Sequence, residues 1–150
     1  MFKKILAAVD GSDVSIQALD YAAHLADQNN ADLKIVSAVE PLPKLYAAGS
    51  AQAYHAKHME IQEENYEKIH REHMERLNEE YPGLKIYAEI EIGRPATIIK
   101  EASQDTDLIV IGHRGQGRVL SWVLGSVAKQ IVDSCTVPVL VVKDREYCPA

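Results

Sequence analysis

Apolar positions along the chain gather into five short runs, and most of the stretches between them are amphipathic. The runs are Ile5 to Val9, Leu33 to Val39, Ile86 to Ile92, Leu108 to Ile111, and Val137 to Val142 with Pro138 inside it. Near-continuous Val, Ile and Leu is the pattern of strands buried on both faces, which is how parallel sheets read. The third run differs. Ile86, Ala88, Ile90 and Ile92 alternate with Lys85, Tyr87, Glu89 and Glu91, so it is expected at an edge with one wet face.

The segments between the runs carry helix signals. Ser12 predicts an N-cap for a helix whose apolar positions Ile16, Leu19, Ala22, Ala23 and Ala26 recur at helical spacing, and Asn29-Asn30 ends it. A long second helix is expected from about Ala53 to Tyr81. Met59, Tyr66, Met74, Leu77 and Tyr81 share one of its faces, and Pro82-Gly83 stops it. Pro95 opens a third helix, Ala96 to Ala102, at a first-turn position where its missing N–H costs nothing. Helical sequence returns after Gly125 and runs to Cys135, and Pro41 to Gln52 is the one long irregular connection.

Strands alternating with helices predict one α/β domain over residues 1–150. Its core is an open five-stranded parallel sheet in the order 3-2-1-4-5, with helices on both faces and right-handed crossovers. Ligands of such sheets settle beyond the carboxyl ends of the strands where the order reverses, here between the first and fourth. The last strand is then an apolar edge that wants a partner.

Composition narrows the function classes. A formal net charge of -6 repels a polyanion on average, so nucleic-acid binding is not expected. No apolar run approaches the roughly 20 residues that span a bilayer, so no membrane association is expected. The run from Ile5 is broken by Asp10, too soon for a signal-peptide core. Cys135 and Cys148 form no CxxC and lie at no metal-ligand spacing from a histidine. The expected setting is a reducing cytoplasm.

Two loops fall at the expected switch point, Asp10-Gly11-Ser12-Asp13 after the first strand and Gly112 to Arg118 after the fourth. Glycine lets backbone approach a ligand, and successive N–H groups make an anion-binding nest. Further on, Gly125-Ser126-Val127 opens a helix whose free N–H groups and dipole favour a phosphate, with the Ser126 hydroxyl as an added donor. Arg114, Arg118 and Lys129 supply positive charge in an acidic chain. The same glycines would serve equally as turn formers and Ser126 as a cap, and these residues alone leave both readings open. The P-loop pattern GxxxxGK followed by Ser or Thr is absent, and the first strand–helix turn reads DGSD rather than GxGxxG.

Taken together, these motifs resemble those of the universal stress proteins of the single-domain, ATP-binding type, over nearly all of the chain. The resemblance is carried by Ile5 to Ser12, by Val39-Glu40-Pro41, by Gly93-Arg94-Pro95 and by the final strand Val137 to Val142. Most specific is the family's ATP signature: glycine, two residues, glycine, nine residues, glycine, then Ser or Thr. Here it reads Gly112, His113-Arg114, Gly115, Gln116 to Leu124, Gly125, Ser126. The resemblance implies a Rossmann-like fold of the adenine-nucleotide α-hydrolase kind and an ATP site, with Mg2+ or Mn2+ carried by the phosphates. By the same resemblance Asp10 would bond the ribose, and backbone at Val9 and Ala38 would line the adenine slot. Gly112 and Gly115 would bring backbone to the ribose and phosphates, and Gly125, Ser126 and Val127 would hold the phosphates. It further implies a homodimer through the last strand and a downstream protein partner of unknown identity. Ser37-Ala38 departs from the His-Val common in the family, and Ala8 from its frequent Pro, which implies a looser slot.

Phosphoryl transfer to water needs a positioned nucleophile and charge stabilisation. No general base is evident at the phosphate end, so the expectation is a nucleotide-dependent stress-response switch rather than an efficient catalyst. Slow ATP hydrolysis and a nucleotide-free dimeric scaffold are the alternatives. His55 and His58, like His70 and His73, are spaced to chelate a metal on one helix face. The two pairs are about 22 Å apart along a straight helix and form no common site; His70 and His73 fall near the apolar stripe, where packing against the sheet is the expected role, and no metal site is assigned. Trp122 is expected to pack the glycine loop, Cys135 to be buried, and Cys148 to lie in the tail.

Overall fold

A computed structural model describes residues 1–42, 50–114 and 124–144. The elements are β1 (Lys4–Ala8), α1 (Asp13–Asn29), β2 (Asp32–Val39), α2 (Ser50–Glu80) and β3 (Ile86–Ile92). They continue with α3 (Pro95–Ala102), a 3-10 turn at Ser103–Asp105, β4 (Leu108–Gly112), α4 (Ser126–Ser134) and β5 (Val139–Val142). Among the described residues the strands form one sheet in the order β3-β2-β1-β4-β5. Every pairing is parallel, as the apolar runs predict.

The crossovers place the helices in two layers. From β1 to β3 the chain moves one way across the sheet, so α1 and α2 share a face. After β3 it returns past β1 to β4 and β5, so right-handed connections put α3 and α4 on the other. Ile5, Ala7, Leu33, Ile35 and Val110 pack toward α1 and α2, with Ala18, Leu19, Ala22 and Leu77 of those helices. Leu6, Val36, Ile109 and Ile111 pack toward α3 and α4 against Ile98, Ile99, Ala128 and Ile131. Burying each large side chain is worth about 1.5–3 kcal/mol, which makes these two clusters the main source of stability.

Local signals act as read. The Ser12 side chain caps α1 by accepting from the Ser15 N–H at 3.3 Å. Asn30 ends the helix in the left-handed region at φ 52°, its N–H returned to the Ala26 and Asp27 carbonyls. Gly11 turns the chain after β1 at φ 86°, a conformation that costs a residue with a Cβ about 1–2 kcal/mol. Pro95 starts α3 with no side-chain cap before it.

Several expectations need correcting. The second helix begins at Ser50, earlier than the composition around Pro41 to Gln52 suggests. At the edge strand β3, the expected dry face is partly open as well. Ala88 and Ile92 are exposed, and a groove of about 480 Å3 separates Ala88 and Ile90 from Met74 and Asn78 of α2. Cys135 is half-buried rather than buried. Trp122, Arg118, Gly115 and Cys148, and any short turn between Arg118 and Leu124, lie outside the described residues.

At the end of β4, Gly112 abuts α1. A Cβ there would meet Val14 Cγ1 at 2.9 Å and the Val14 carbonyl carbon at 3.3 Å. Gly112→Ala is therefore expected to destabilise the fold by about 1–3 kcal/mol through overpacking. Combined with Val14→Ala, it should cost less than the sum of the single changes; additive losses in urea denaturation would show that the helix does not press on this glycine.

Candidate functional site

The segments that end β1 and β4 and begin α4 converge on one cavity of about 510 Å3 beyond the carboxyl ends of the strands. Val9, Asp10, Ala38, Gly112, Arg114, Gly125, Ser126 and Val127 all line it. Gly115, the remaining residue of the predicted site, lies outside the described residues. Pro95, Ile98 and Ile99 of α3, Val36 and Ile111 complete an apolar wall.

Each side of the cavity is held by specific bonds. The Asp10 Oδ1 accepts the Ser12 N–H at 2.9 Å and the Ser12 hydroxyl at 2.5 Å, which folds the DGSD turn around the carboxylate. Across the sheet the Gly125 N–H donates to the His113 carbonyl at 2.6 Å. A Cβ at Gly125 would lie 3.1 Å from that carbonyl oxygen and from the Arg114 Cα, so a larger residue would push α4 off the loop after β4. Gly125 is the N-cap of α4 and supplies no side-chain bond to its first turn. Ser126 is the first helical residue, not the cap, and the helix start lines the cavity.

Charge is distributed unevenly along the cleft. Asp10 and Glu40 lie by the ends of β1 and β2, whereas Arg114 and the positive end of the α4 dipole lie by β4. Arg114 is bound to Asp144 at 3.0 Å, and the Asp144 N–H meets His113 Nδ1 at 3.3 Å. Lys129, counted among the cations by sequence, is instead exposed and paired with Asp133 one turn along α4 at 2.9 Å.

Among the lining residues that sequence reasoning missed are Tyr66 and Glu40, besides the apolar wall. Tyr66 was legible only as part of the apolar face of α2, and Glu40 only as part of a family-like Val-Glu-Pro ending. Burial and the carboxylates of Asp10 and Glu40 push the Tyr66 phenol above its ordinary range.

Three of the four histidines singled out on α2, His58, His70 and His73, have structural partners. Ser37 has one hydroxyl proton and donates it to the Val9 carbonyl at 2.5 Å. The 2.8 Å contact between Ser37 Oγ and His70 Nε2 therefore has His70 as donor, fixing the Nε2–H tautomer. His58 meets Gln62 at 2.8 Å, and His73 Nδ1 lies 3.1 Å from the Arg76 guanidinium. No group of three or more His, Cys, Asp or Glu side chains among the described residues is arranged to hold a metal ion.

An open parallel sheet with its crevice between β1 and β4 defines the doubly wound α/β class. The family model for the universal stress protein family matches residues 1–143. Universal stress protein MJ0531 of Methanocaldococcus jannaschii is 34% identical over 147 residues, which cover 95% of this chain and 83% of that protein. The chain belongs to the universal stress protein family. Its fold is similar to universal stress protein UspA from Lactobacillus plantarum, with a TM-score of 0.85, 22% identity, and coverage of 93% of this chain and 97% of that one. It is also similar to a universal stress protein in complex with cAMP, at TM-score 0.69 and 24% identity, covering 94% of this chain and 97% of that one.

Two buried imidazoles give the fold an acid limit. His70 and His113 are 5% and 3% exposed, and burial holds both below the ordinary histidine range, with His73 repelling the first and Arg114 the second. The unfolded chain, whose histidines titrate near 6.5, takes up these protons first, so stability is complete above that pH and declines as pH falls toward the depressed folded values. The melting temperature is expected to drop between pH 7.5 and 5.5. His70→Gln, which keeps an N–H for Ser37, should flatten the decline; an unchanged slope would remove His70 from the cause.

Proposed function

We propose that this chain is an ATP-binding stress-response protein whose nucleotide state alters its surface or association, and not an efficient catalyst. The observation that carries this reading is the convergence of Asp10 after β1, Gly112 and Arg114 at the end of β4 and the uncapped start of α4 on a single cavity. Its polarity supports one orientation, with the phosphates at α4 and the nucleoside at the ends of β1 and β2. The cAMP held by a structural relative adds a precedent for a nucleotide ligand on this fold.

In this reading Asp10 accepts from the ribose, and backbone at Val9 and Ala38 borders the adenine. Gly112 and Gly115 let backbone near the ribose and phosphates. The N–H groups of Gly125, Ser126 and Val127, the Ser126 hydroxyl and the Arg114 charge hold the phosphate tail. Mg2+ or Mn2+ would arrive with the phosphates, which with water supply most of such an ion's ligands. The chain works as a single unit in the cytoplasm, pairs with a second copy through β5 and passes its state to a protein partner.

Calorimetric titration with ATP is expected to show saturable binding, weakened about tenfold by Ser126→Ala through loss of one hydrogen bond to a charged group. A folded wild-type chain that binds neither ATP nor ADP would favour the nucleotide-free scaffold instead.

Pairing through β5 rests on a strand that ends the sheet and leaves Leu140 36% exposed. Light scattering at micromolar concentration should report a dimer mass, reduced to the monomer by Leu140→Lys; a monomeric wild type would sink the pairing.

A further inference from the structure

The nucleotide reading leaves open what meets the face of the base, and the inference drawn here rests on that reading. Most of the cleft comes from the strand ends and from α3 and α4. Tyr66 is different. It belongs to α2, which packs on the opposite face of the sheet, yet it lines the same cavity. The ring therefore reaches over the rim formed by the ends of β1 and β2.

His70 lies one helical turn further on. This imidazole is buried, and its Nε2–H donates to Ser37 Oγ at 2.8 Å, which ties that turn of α2 to the end of β2. Ser37 is bonded in turn to the Val9 carbonyl, so helix, strand and cleft edge form one connected unit. The Tyr66 and His70 rings lie 6.5 Å apart between centroids with planes tilted by 41°, so the two rings are neighbours. Pro95, Ile98 and Ile99 line the cavity from α3, in the other layer.

An aromatic ring from one layer and aliphatic side chains from the other thus line one cavity, a lining suited to a planar heteroaromatic group. Every base presents a π face to such a ring, and the stacking does not depend on its hydrogen-bonding edge. We infer that Tyr66 stacks on the nucleobase at the mouth of the cleft, and that His70, through Ser37, is the positioning residue that keeps the ring in place. The raised phenol, flanked by Asp10 and Glu40, agrees with a hydroxyl at the nucleoside end and not at the phosphate end.

Calorimetry with ATP on the full chain tests this directly. Tyr66→Ala is expected to weaken binding roughly tenfold, the effect of losing one base–aromatic stack, while Tyr66→Phe stays within about twofold of wild type. In the saturated wild-type complex, isotope-filtered NOE spectra should connect the Tyr66 ring protons to protons of the base. His70→Ala should weaken ATP binding severalfold, and His70→Gln, which keeps a donor for Ser37, should restore it. Wild-type affinity in Tyr66→Ala, or no ring-to-base NOE in wild type, overturns the stacking role and leaves the nucleotide reading standing. A loss in His70→Ala that glutamine does not restore overturns the positioning role. A wild-type chain that binds no ATP overturns both the reading and this inference.

Discussion

The cleft exists because the chain reverses its direction of travel across the sheet after β3. Parallel strands joined by right-handed crossovers must send α1 and α2 to one face and α3 and α4 to the other. That arrangement leaves a crevice beyond the carboxyl ends of β1 and β4. The chemistry at that seam is a carboxylate wrapped by its own turn, a helix start with no side-chain cap, and a guanidinium held by Asp144.

Close backbone packing keeps the two halves of the seam together. Gly125 reaches within bonding distance of the His113 carbonyl because no side chain intervenes, and Gly112 meets α1 at a distance that leaves no room for one. These glycines of the signature are thus required by packing as well as by any ligand. The alternative in which they merely shape turns is too weak for Gly125, where a Cβ would crowd the main chain of the neighbouring loop. It does fit Gly11, whose left-handed conformation makes the turn after β1.

Much of the architecture was legible in the chain because it follows local rules. Continuous apolar runs marked the interior strands, alternation marked β3 as an edge, and Ser12 and Pro95 marked helix starts. What escaped was set by distance rather than by pattern. Tyr66 has the spacing of a core residue, and whether such a ring turns onto the sheet or over its rim depends on where the helix sits along the strands. Periodicity does not encode that position. Ser37 stood out as a departure from the family's histidine, but its bond to a histidine 33 residues later needed the fold to appear. The pairing of Lys129 with Asp133, by contrast, was written in their spacing of four.

The Ser37 hydroxyl gives one proton to a main-chain oxygen and receives another from an imidazole, so two distant positions share a single chemical fate. A lineage that exchanged this serine for alanine would strand an N–H inside the protein, and one that lost the histidine first would leave the serine free to drift. Descendants with serine alone should therefore be commoner than those with histidine alone, the less stable of the two intermediates.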